Sequence, residues 1–203
     1  MGAPFFRVRR QPAEASVEDY LIRPARPDEA VLMPGLETEA ARQFAQIGLQ
    51  EIADLPLHPV AFYRACAAAG CLWVATPARR PDGPPLGLAA AARRDGMAWL
   101  AELDVVPAHG RRGLGRRLVD AVAAWAAAEG LPAVVLTTFR DIPFNGPFYS
   151  RIGFRPFVPG ADLPFLAAVR RTEQASGLDR ISPRVAMRLD LAPRETAPKA
   201  PRS

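Results

Sequence analysis

One segment, residues 97–130, changes its hydrophobic period midway and constrains the fold more than any other part of the chain. Over 97–106 apolar and polar residues alternate with a period of two, which predicts a β-strand. Pro107 ends that strand because proline cannot donate a hydrogen bond to a sheet ladder. From Leu114 onward the apolar residues recur at helical spacing, and the predicted helix ends at Gly130. The segment therefore predicts a strand, a loop and a helix in direct succession.

The alternation within this strand also predicts which side chains share a face. Two sets are expected on opposite faces: Trp99, Ala101, Leu103 and Val105 on one, and Leu100, Glu102 and Asp104 on the other. The two carboxylates would then lie near each other on one face of the strand. This makes both of them candidates for acid–base chemistry, if the chain carries any.

The loop between this strand and the helix reads AHGRRGLG and is rich in glycine and arginine. The first amides of a helix have no intrahelical acceptor, and the helix dipole adds partial positive charge there. Glycines let a phosphate approach the backbone closely, and arginines add charge and hydrogen-bond donors. The predicted phosphate-binding residues are Arg111, Arg112, Gly113, Leu114, Gly115 and Arg116. The loop matches neither the Walker A nor the dinucleotide-binding pattern, so these residues alone are equally consistent with a solvated surface turn.

A second segment, residues 133–157, again joins a strand to a helix. The β-branched run Val134–Thr138 predicts a strand, and Asn145–Ile152 predicts a short helix. Asn145 is typical of the residue that caps a helix N-terminus. Gly153 is typical of the left-handed residue that follows a helix, and the chain is expected to resume as a strand after it.

Two motifs in these segments resemble the GCN5-related N-acetyltransferase (GNAT) superfamily. The stretch LDVVPAHGRRGLGRRLV resembles that family's acyl-CoA loop, and NGPFYSRIGF resembles its second motif. The ordered pair is far more specific than either half. The family's loop usually reads Arg/Gln-x-x-Gly-x-Gly, and its first position here is Gly110, whereas Gly113 and Gly115 are retained. This departure removes one side-chain contact to the cofactor but no backbone amide.

The resemblance implies an α/β fold of the α+β type. It implies a mixed, mostly antiparallel central sheet with flanking helices, in which the strands 97–106 and 133–138 splay apart. Acetyl-CoA is the implied co-substrate, with its pantetheine arm in the gap between those strands. Val105 and Val106 lie beside that gap, so their backbone groups are expected to hydrogen-bond the pantetheine. One of these two amides would also serve as the oxyanion donor to the thioester carbonyl.

The same resemblance implies roles for particular side chains. Tyr149 matches the family's tyrosine and is expected to contact the cofactor and to protonate or hydrogen-bond the CoA thiolate; the alternative is a core tyrosine. Asn145, four residues earlier on the same helix face, is expected to contact the pantetheine amides. A base is also needed, because an alkylamine with a pKa of about 10 is mostly protonated at pH 7. Glu102 is the predicted base; Asp104 or a water chain is the alternative, and both carboxylates could instead pair with arginines.

Charge and composition narrow the possible partners. The net charge is +5 and the isoelectric point is about 10.0, which favours an anionic partner such as acyl-CoA. The arginines are spread along the chain rather than clustered with aromatic residues, which argues against nucleic acid. The cysteines and histidines, Cys66, Cys71, His58 and His109, show neither a disulfide framework nor metal-ligand spacing, so no metal is predicted. His58 is expected to be a helix-start residue, and His109 a loop residue near the cofactor phosphates.

The chain is expected to form one domain with two tails. We expect an N-terminal tail over 1–18, a domain over 19–191 and a proline-rich tail over 192–203. No apolar run reaches the length of a membrane span, so a cytoplasmic location without a membrane partner is expected. The family resemblance adds a homodimer to these expectations.

Two functions remain open from the sequence. The first is an acetyl-CoA-dependent N-acetyltransferase that moves an acetyl group directly to a primary amine of a small molecule, amino acid or peptide. The second is a non-catalytic acyl-CoA-binding or regulatory domain. The presence of both Tyr149 and a carboxylate on the strand favours the enzyme. The acceptor amine is not encoded in these motifs, because the segments expected to select it, 28–69 and 155–182, carry no family-wide pattern.

Overall fold

The computed structural model describes residues 19–192, so the predicted tail 1–18 and all but the first residue of the tail 192–203 lie outside it. Its strands are β1 Tyr20–Pro24, β2 Leu72–Pro77, β3 Gly87–Arg94, β4 Met97–Val105, β5 Ala133–Phe139, β6 Arg155–Phe157 and β7 Arg184–Asp190. Its α-helices are α1 Met33–Ala45, α2 Gln50–Ala53, α3 Val60–Ala68, α4 Leu114–Ala128, α5 Gly146–Arg151, α6 Pro164–Ala175 and α7 Leu178–Ile181. None of these helices is long and apolar enough to cross a membrane.

The strands form one sheet in the order β1-β2-β3-β4-β5-β7-β6. Every neighbouring pair is antiparallel except β4 and β5, which run parallel. In that pair the register joins Ala98 to Val134 and Trp99 to Val135, and it goes no further. The two strands therefore separate beyond Trp99 and leave a gap in the middle of the sheet. This architecture confirms the predicted fold class, including the splayed central strands.

A β-bulge in β4 corrects the predicted assignment of its faces. Ala90 of β3 pairs with Glu102, whereas the next residue of β3 pairs with Leu100, so Ala101 is the extra residue. An extra residue shifts the two-residue period by one and turns the following side chains over. Leu100 consequently packs in the same apolar cluster as Leu103, and not on the face of Glu102 as the alternation predicted.

Helices cover both faces of the sheet and bury its apolar side chains. On one face α4 inserts Leu114, Leu118 and Val122 into the core, as their helical spacing predicts, and Trp125 contacts Trp73 with ring centroids 5.8 Å apart. A second cluster covers the other face of β2 and β3 with residues from α1 and α3. The polar face of β4 therefore points toward the α1 and α3 layer.

Gly146, the first residue of α5, lies against the end of β5 with no room for a side chain. A Cβ at this position would be 2.2 Å from the Arg140 carbonyl oxygen and 2.9 Å from its carbon. Both neighbours are backbone atoms, so they cannot turn away as a flexible side chain would. The absence of a Cβ at Gly146 thus sets how closely α5, and the tyrosine it carries, approaches the sheet.

Replacing Gly146 with alanine is expected to destabilise the fold by about 1–3 kcal/mol, the usual cost of overpacking a tight contact. Gly35 offers a matched control, because it lies within α1 and a Cβ there would have no neighbour within 4 Å. Alanine at Gly35 is expected to stabilise the protein by about 0.5–1 kcal/mol through helix propensity. Urea unfolding of both variants tests this contrast, and equal free energies of unfolding for the two would contradict it.

Candidate active site

The gap between β4 and β5 opens into a cavity of about 350 Å³. Elements on both sides of the gap contribute to its wall, and α1 and the segment after α2 close one end. The polar side chains that line it are Glu37, His58, Glu102, Asp104, Thr137, Thr138, Asn145, Tyr149, Glu173 and Arg184. Sequence reasoning places Glu102, Asp104, Asn145 and Tyr149 at such a site, and the structure brings all four together.

The backbone amides of Val105 and Val106 differ in whether they are already hydrogen-bonded within the sheet. The Val106 amide donates to the Leu86 carbonyl at 2.9 Å, and the Val106 carbonyl accepts from the His109 amide at 2.9 Å. Because neighbouring residues of an antiparallel strand point their amides to opposite sides, the Val105 amide faces the gap. The Val106 amide is therefore already bonded within the sheet, and the Val105 amide is the one that can donate into the gap; the contact of these two residues with a pantetheine stays a prediction.

The glycine- and arginine-rich loop has the backbone shape of an anion site. Arg111 has a φ of 55° and Gly113, the residue before α4, has a φ of 77°. Left-handed residues in such a turn direct successive amides toward one point, and the first amides of α4 have no intrahelical acceptor. Arg111 and Arg116 are exposed on this loop and first turn. The predicted phosphate-binding residues thus lie together around the N-terminus of a fifteen-residue helix.

This loop is tied to the edge of the sheet through Tyr20 of β1. Nη1 of Arg112 donates to the Tyr20 hydroxyl at 2.8 Å, and that hydroxyl lies 2.7 Å from Nδ1 of His109. The hydroxyl thus links the loop residues Arg112 and His109 to β1. Burial, together with the charge of Arg112, lowers the pKa of His109. His109 is a loop residue as predicted. One N–H group of Arg112 is used in the hydrogen bond that holds the loop against β1.

Tyr149 and Asn145 both border the cavity from the α5 side. Tyr149 is buried, and its ring contacts Phe148 and Phe154 with centroids 5.1 and 5.4 Å away. Burial, and after it the Glu102 and Asp104 carboxylates, raise the pKa of Tyr149. The phenol therefore keeps its proton at neutral pH and acts as a hydrogen-bond donor.

Asn145 precedes α5, as predicted, but its side chain does not cap the helix. Its Nδ2 donates to Oγ1 of Thr138 on β5 at 3.1 Å. Its Oδ1 is buried and has no hydrogen-bond partner among residues 19–192. A buried carbonyl oxygen without a partner is costly, so this atom is suited to accept from an amide of a molecule held in the gap.

Two residues that sequence reasoning did not select, Glu37 and His58, lie beside Glu102. Nδ1 of His58 is 3.5 Å from a Glu37 oxygen and 3.5 Å from a Glu102 oxygen. The Tyr63 hydroxyl donates to Glu37 at 2.7 Å and holds that carboxylate in place. His58 does lie at the start of α3, as predicted, but it also joins the cavity wall. One sequence signal existed for Glu37: it lies on the buried face of α1, where a carboxylate is unexpected.

Electrostatics distinguish the two candidate bases. Burial, and after it the charge of Glu37, raise the pKa of Glu102 to about 7, with His58 acting in the opposite direction. Burial, followed by Glu102 and Glu37, raises the pKa of Asp104 well above its usual range. Glu102 therefore titrates near the pH at which a general base works best. The interaction with Glu37 raises the pKa of His58 in spite of its burial.

A buried ion network closes the opposite side of the cavity. Arg184 donates to Glu173 at 2.6 Å and to Thr137 Oγ1 at 3.1 Å, and Arg170 also pairs with Glu173. Nε of Arg184 is buried without a partner among the described residues. This network was not predicted, because its members come from β5, α6 and β7, which are distant in sequence.

A short part of the chain is similar to one curated relative. Over 48 residues the chain is 59% identical to the mycothiol acetyltransferase of Clavibacter michiganensis subsp. michiganensis (strain NCPPB 382); these are 24% of this chain and 15% of that protein. The chain therefore matches only a small part of that curated relative.

Solved structures share the fold. A Mycobacterium tuberculosis protein in complex with CoA has a TM-score of 0.61 and 18% identity, covering 85% of this chain and 99% of its own. PaiA N-acetyltransferase from Thermoplasma acidophilum, in complex with coenzyme A, has a TM-score of 0.57 and 13% identity, covering 84% and 98%. A model of the acetyltransferase (GNAT) family matches residues 38–154, more than half of the chain. The chain belongs to the acetyltransferase (GNAT) family.

Proposed function

We propose that the protein transfers the acetyl group of acetyl-CoA directly to a primary amine. The observation that carries this proposal is the cavity in the split sheet, whose lining brings together Glu102, Asp104, Asn145 and Tyr149. The unpartnered Asn145 oxygen lines this cavity and is suited to accept a hydrogen bond from a pantetheine amide. Glu102, with its pKa of about 7, lines the same cavity and is suited to accept a proton from the amine.

The residues of the cavity match the steps of acetyl transfer. Glu102, directly or through one water, takes a proton from the ammonium group, and the neutral nitrogen attacks the thioester carbonyl carbon. The carbonyl electrons move to oxygen, where the Val105 amide stabilises the oxyanion. The oxyanion then re-forms the carbonyl as the C–S bond breaks, and the sulfur leaves with the bonding pair. The extra proton on the attacking nitrogen passes to the departing sulfur, so the products are a neutral amide and the CoA thiol. Tyr149, still protonated, donates its hydrogen bond to that thiolate as it leaves.

A panel of amines incubated with acetyl-CoA tests the proposal, with release of free thiol as the signal and mass spectrometry of the N-acetyl product as confirmation. The panel should contain small amines, amino acids and peptides with free N-termini or lysine side chains. Thiol release that depends on one amine, and matches product in amount, is expected. Tight CoA binding without turnover of any amine would instead favour a non-catalytic acyl-CoA-binding domain.

A change at Gly113 tests the phosphate site. Gly113 has a φ of 77° at the start of α4, so valine there is strained and also places a side chain where a pyrophosphate would bind. Gly130, with a φ of 70° and no neighbour within 4 Å of a Cβ, carries the same backbone strain beyond the far end of α4. That end lies about 22 Å away at 1.5 Å per residue.

We expect Gly113→Val and Gly130→Val to lower the free energy of unfolding by similar amounts, about 1–2 kcal/mol. Only Gly113→Val is expected to weaken acetyl-CoA binding, and by at least tenfold. Calorimetric titration with acetyl-CoA and urea unfolding of both variants measure the two effects separately. Equal affinities in the two variants would place the phosphates elsewhere.

A further inference from the structure

The cluster of Glu37, His58 and Glu102 also has the geometry of a metal site. One ligand atom from each residue lies within 4.8 Å of the other two. Nδ1 of His58 is 3.5 Å from each carboxylate, which is longer than a normal hydrogen bond. It is close to the separation of about 3.4 Å between two ligand atoms of a tetrahedral zinc ion with bonds of about 2.1 Å. We propose that these three residues bind a divalent transition-metal cation such as Zn²⁺.

The donor set suits such a cation. Nδ1 of His58 is buried, has no hydrogen-bond partner among the residues that the structure describes, and faces an oxygen of each carboxylate. Imidazole nitrogen is a good ligand for zinc, copper and nickel, whereas magnesium and calcium prefer sites made of oxygen alone. Two carboxylates beside one imidazole would also neutralise the charge of a divalent ion. The predicted selectivity is therefore for Zn²⁺ over Mg²⁺.

Hydrogen-bond donors of the chain orient both carboxylates, and each carboxylate has one oxygen near Nδ1 of His58. Oε2 of Glu37 accepts from the Tyr63 hydroxyl at 2.7 Å, and the His58 amide donates to Oε2 at 3.2 Å and to Oε1 at 3.4 Å. Oε1 also lies 3.5 Å from Nδ1. Oε1 of Glu102 accepts from the Leu103 amide at 3.2 Å, which leaves Oε2 facing Nδ1. Outer hydrogen bonds of this kind orient metal ligands and raise affinity. The cluster is thus already organised around one point.

The cluster is also accessible from the cavity. The exposed fractions of its side chains are 12% for Glu37, 32% for His58 and 26% for Glu102. A bound ion would have three protein ligands and a fourth position open to the cavity, as zinc ions in catalytic sites do. The two carboxylate oxygens lie within 4.8 Å of each other, and a cation between them would offset their mutual repulsion.

Metal binding has a consequence for the proposed reaction. The lone pair with which Glu102 would accept the ammonium proton would be given to the ion instead. Zn²⁺ is therefore expected to inhibit acetyl transfer reversibly, and removal of the ion with a chelator is expected to restore activity. This consequence rests on the proposed function, whereas the binding of the ion does not.

Calorimetric titration of the chelator-treated full chain with Zn²⁺ tests the site, with His58→Gln and Glu37→Gln as variants. His109→Gln is the matched control, because His109 is the chain's second histidine and lies on the other side of β4 at the phosphate loop. Zinc affinity is expected to fall at least tenfold in both cluster variants and to stay unchanged in the control. Mg²⁺ is expected to bind much more weakly than Zn²⁺.

The absorption spectrum of bound Co²⁺ and the effect of Zn²⁺ on turnover add two further tests. The visible absorption of bound Co²⁺ reports its coordination number, and a four-coordinate spectrum is expected for the wild-type chain but not for His58→Gln. Equal Zn²⁺ affinity in wild type and in a folded cluster variant would overturn the site. If no amine is acetylated, the proposed function fails but the titration still decides on the metal. If Zn²⁺ binds without inhibiting turnover, Glu102 is not the base that the metal blocks.

Discussion

Tyr149→Phe is expected to lower kcat by at least tenfold, within the range of about 10²–10⁴ typical for loss of an acid–base group, with little change in acetyl-CoA affinity. The phenylalanine ring keeps the contacts with Phe148 and Phe154, so packing is preserved. The variant loses only the hydrogen bond that forms as the thiolate leaves. Steady-state kinetics with the amine found in the panel measure the effect. Full activity would mean that Tyr149 has only a packing role and that water donates the hydrogen bond to the departing thiolate.

Tyr20→Phe provides the matched control for this substitution. The Tyr20 hydroxyl links His109 and Arg112, so its loss loosens the phosphate loop without touching the reacting atoms. We expect a higher KM for acetyl-CoA and a nearly unchanged kcat, the opposite of the pattern for Tyr149→Phe. A common effect of both variants on kcat would indicate a general disturbance of the fold.

Glu102→Gln is expected to lower kcat/KM about 10²-fold or more at neutral pH. The wild-type rate should rise with pH through about 7, because Glu102 must be ionised to accept the ammonium proton. The variant should lack this rise near pH 7 and regain part of its activity at high pH, where more of the amine is already neutral. A pH–rate profile of unchanged shape and height would exclude Glu102 as the base.

The stability of Glu102→Gln provides an independent check with a definite sign. The folded-state pKa of Glu102 lies above its unfolded value, so the folded protein retains a proton that the unfolded chain releases. The stability from this carboxyl is present at low pH and is lost as pH rises through about 7. Glutamine cannot ionise, so the variant should gain stability over wild type between pH 5 and pH 8. Urea unfolding at these two values measures the gain, and its absence would mean that Glu102 is not raised in pKa.

The strand, loop and helix around the cofactor site could be predicted from the sequence because their signals are local. Period-two alternation, the Gly113 turn and the helical spacing of Leu114 and Leu118 depend on residues close together in the chain. The faces of β4 were partly mistaken because a bulge at Ala101 leaves no clear mark in the sequence. The bulge is stabilised by pairing with β3, and only the folded sheet shows it.

The amine end of the cavity could not be predicted for a different reason. Glu37 and His58 come from α1 and from the segment before α3, and only tertiary packing brings them to Glu102. No spacing rule joins three residues on three separate elements. The roles of Tyr149 and Glu102, and the expected homodimer, stay predictions.

The bulge at Ala101 places the leucines of β4 and its two carboxylates on opposite faces of the sheet. With Ala101 present, leucines enter the apolar layer beneath α4 while Glu102 and Asp104 enter the cavity. Loss of Ala101 would leave Leu100 paired with Ala91 and Glu102 paired with Ala90, so the strand would alternate regularly and both carboxylates would stay on the cavity face. Loss of Leu103 would instead turn Asp104 into the apolar layer, where an unpaired charge is costly. The bulge is therefore the point of β4 at which one residue can be lost without moving the carboxylates to the other face.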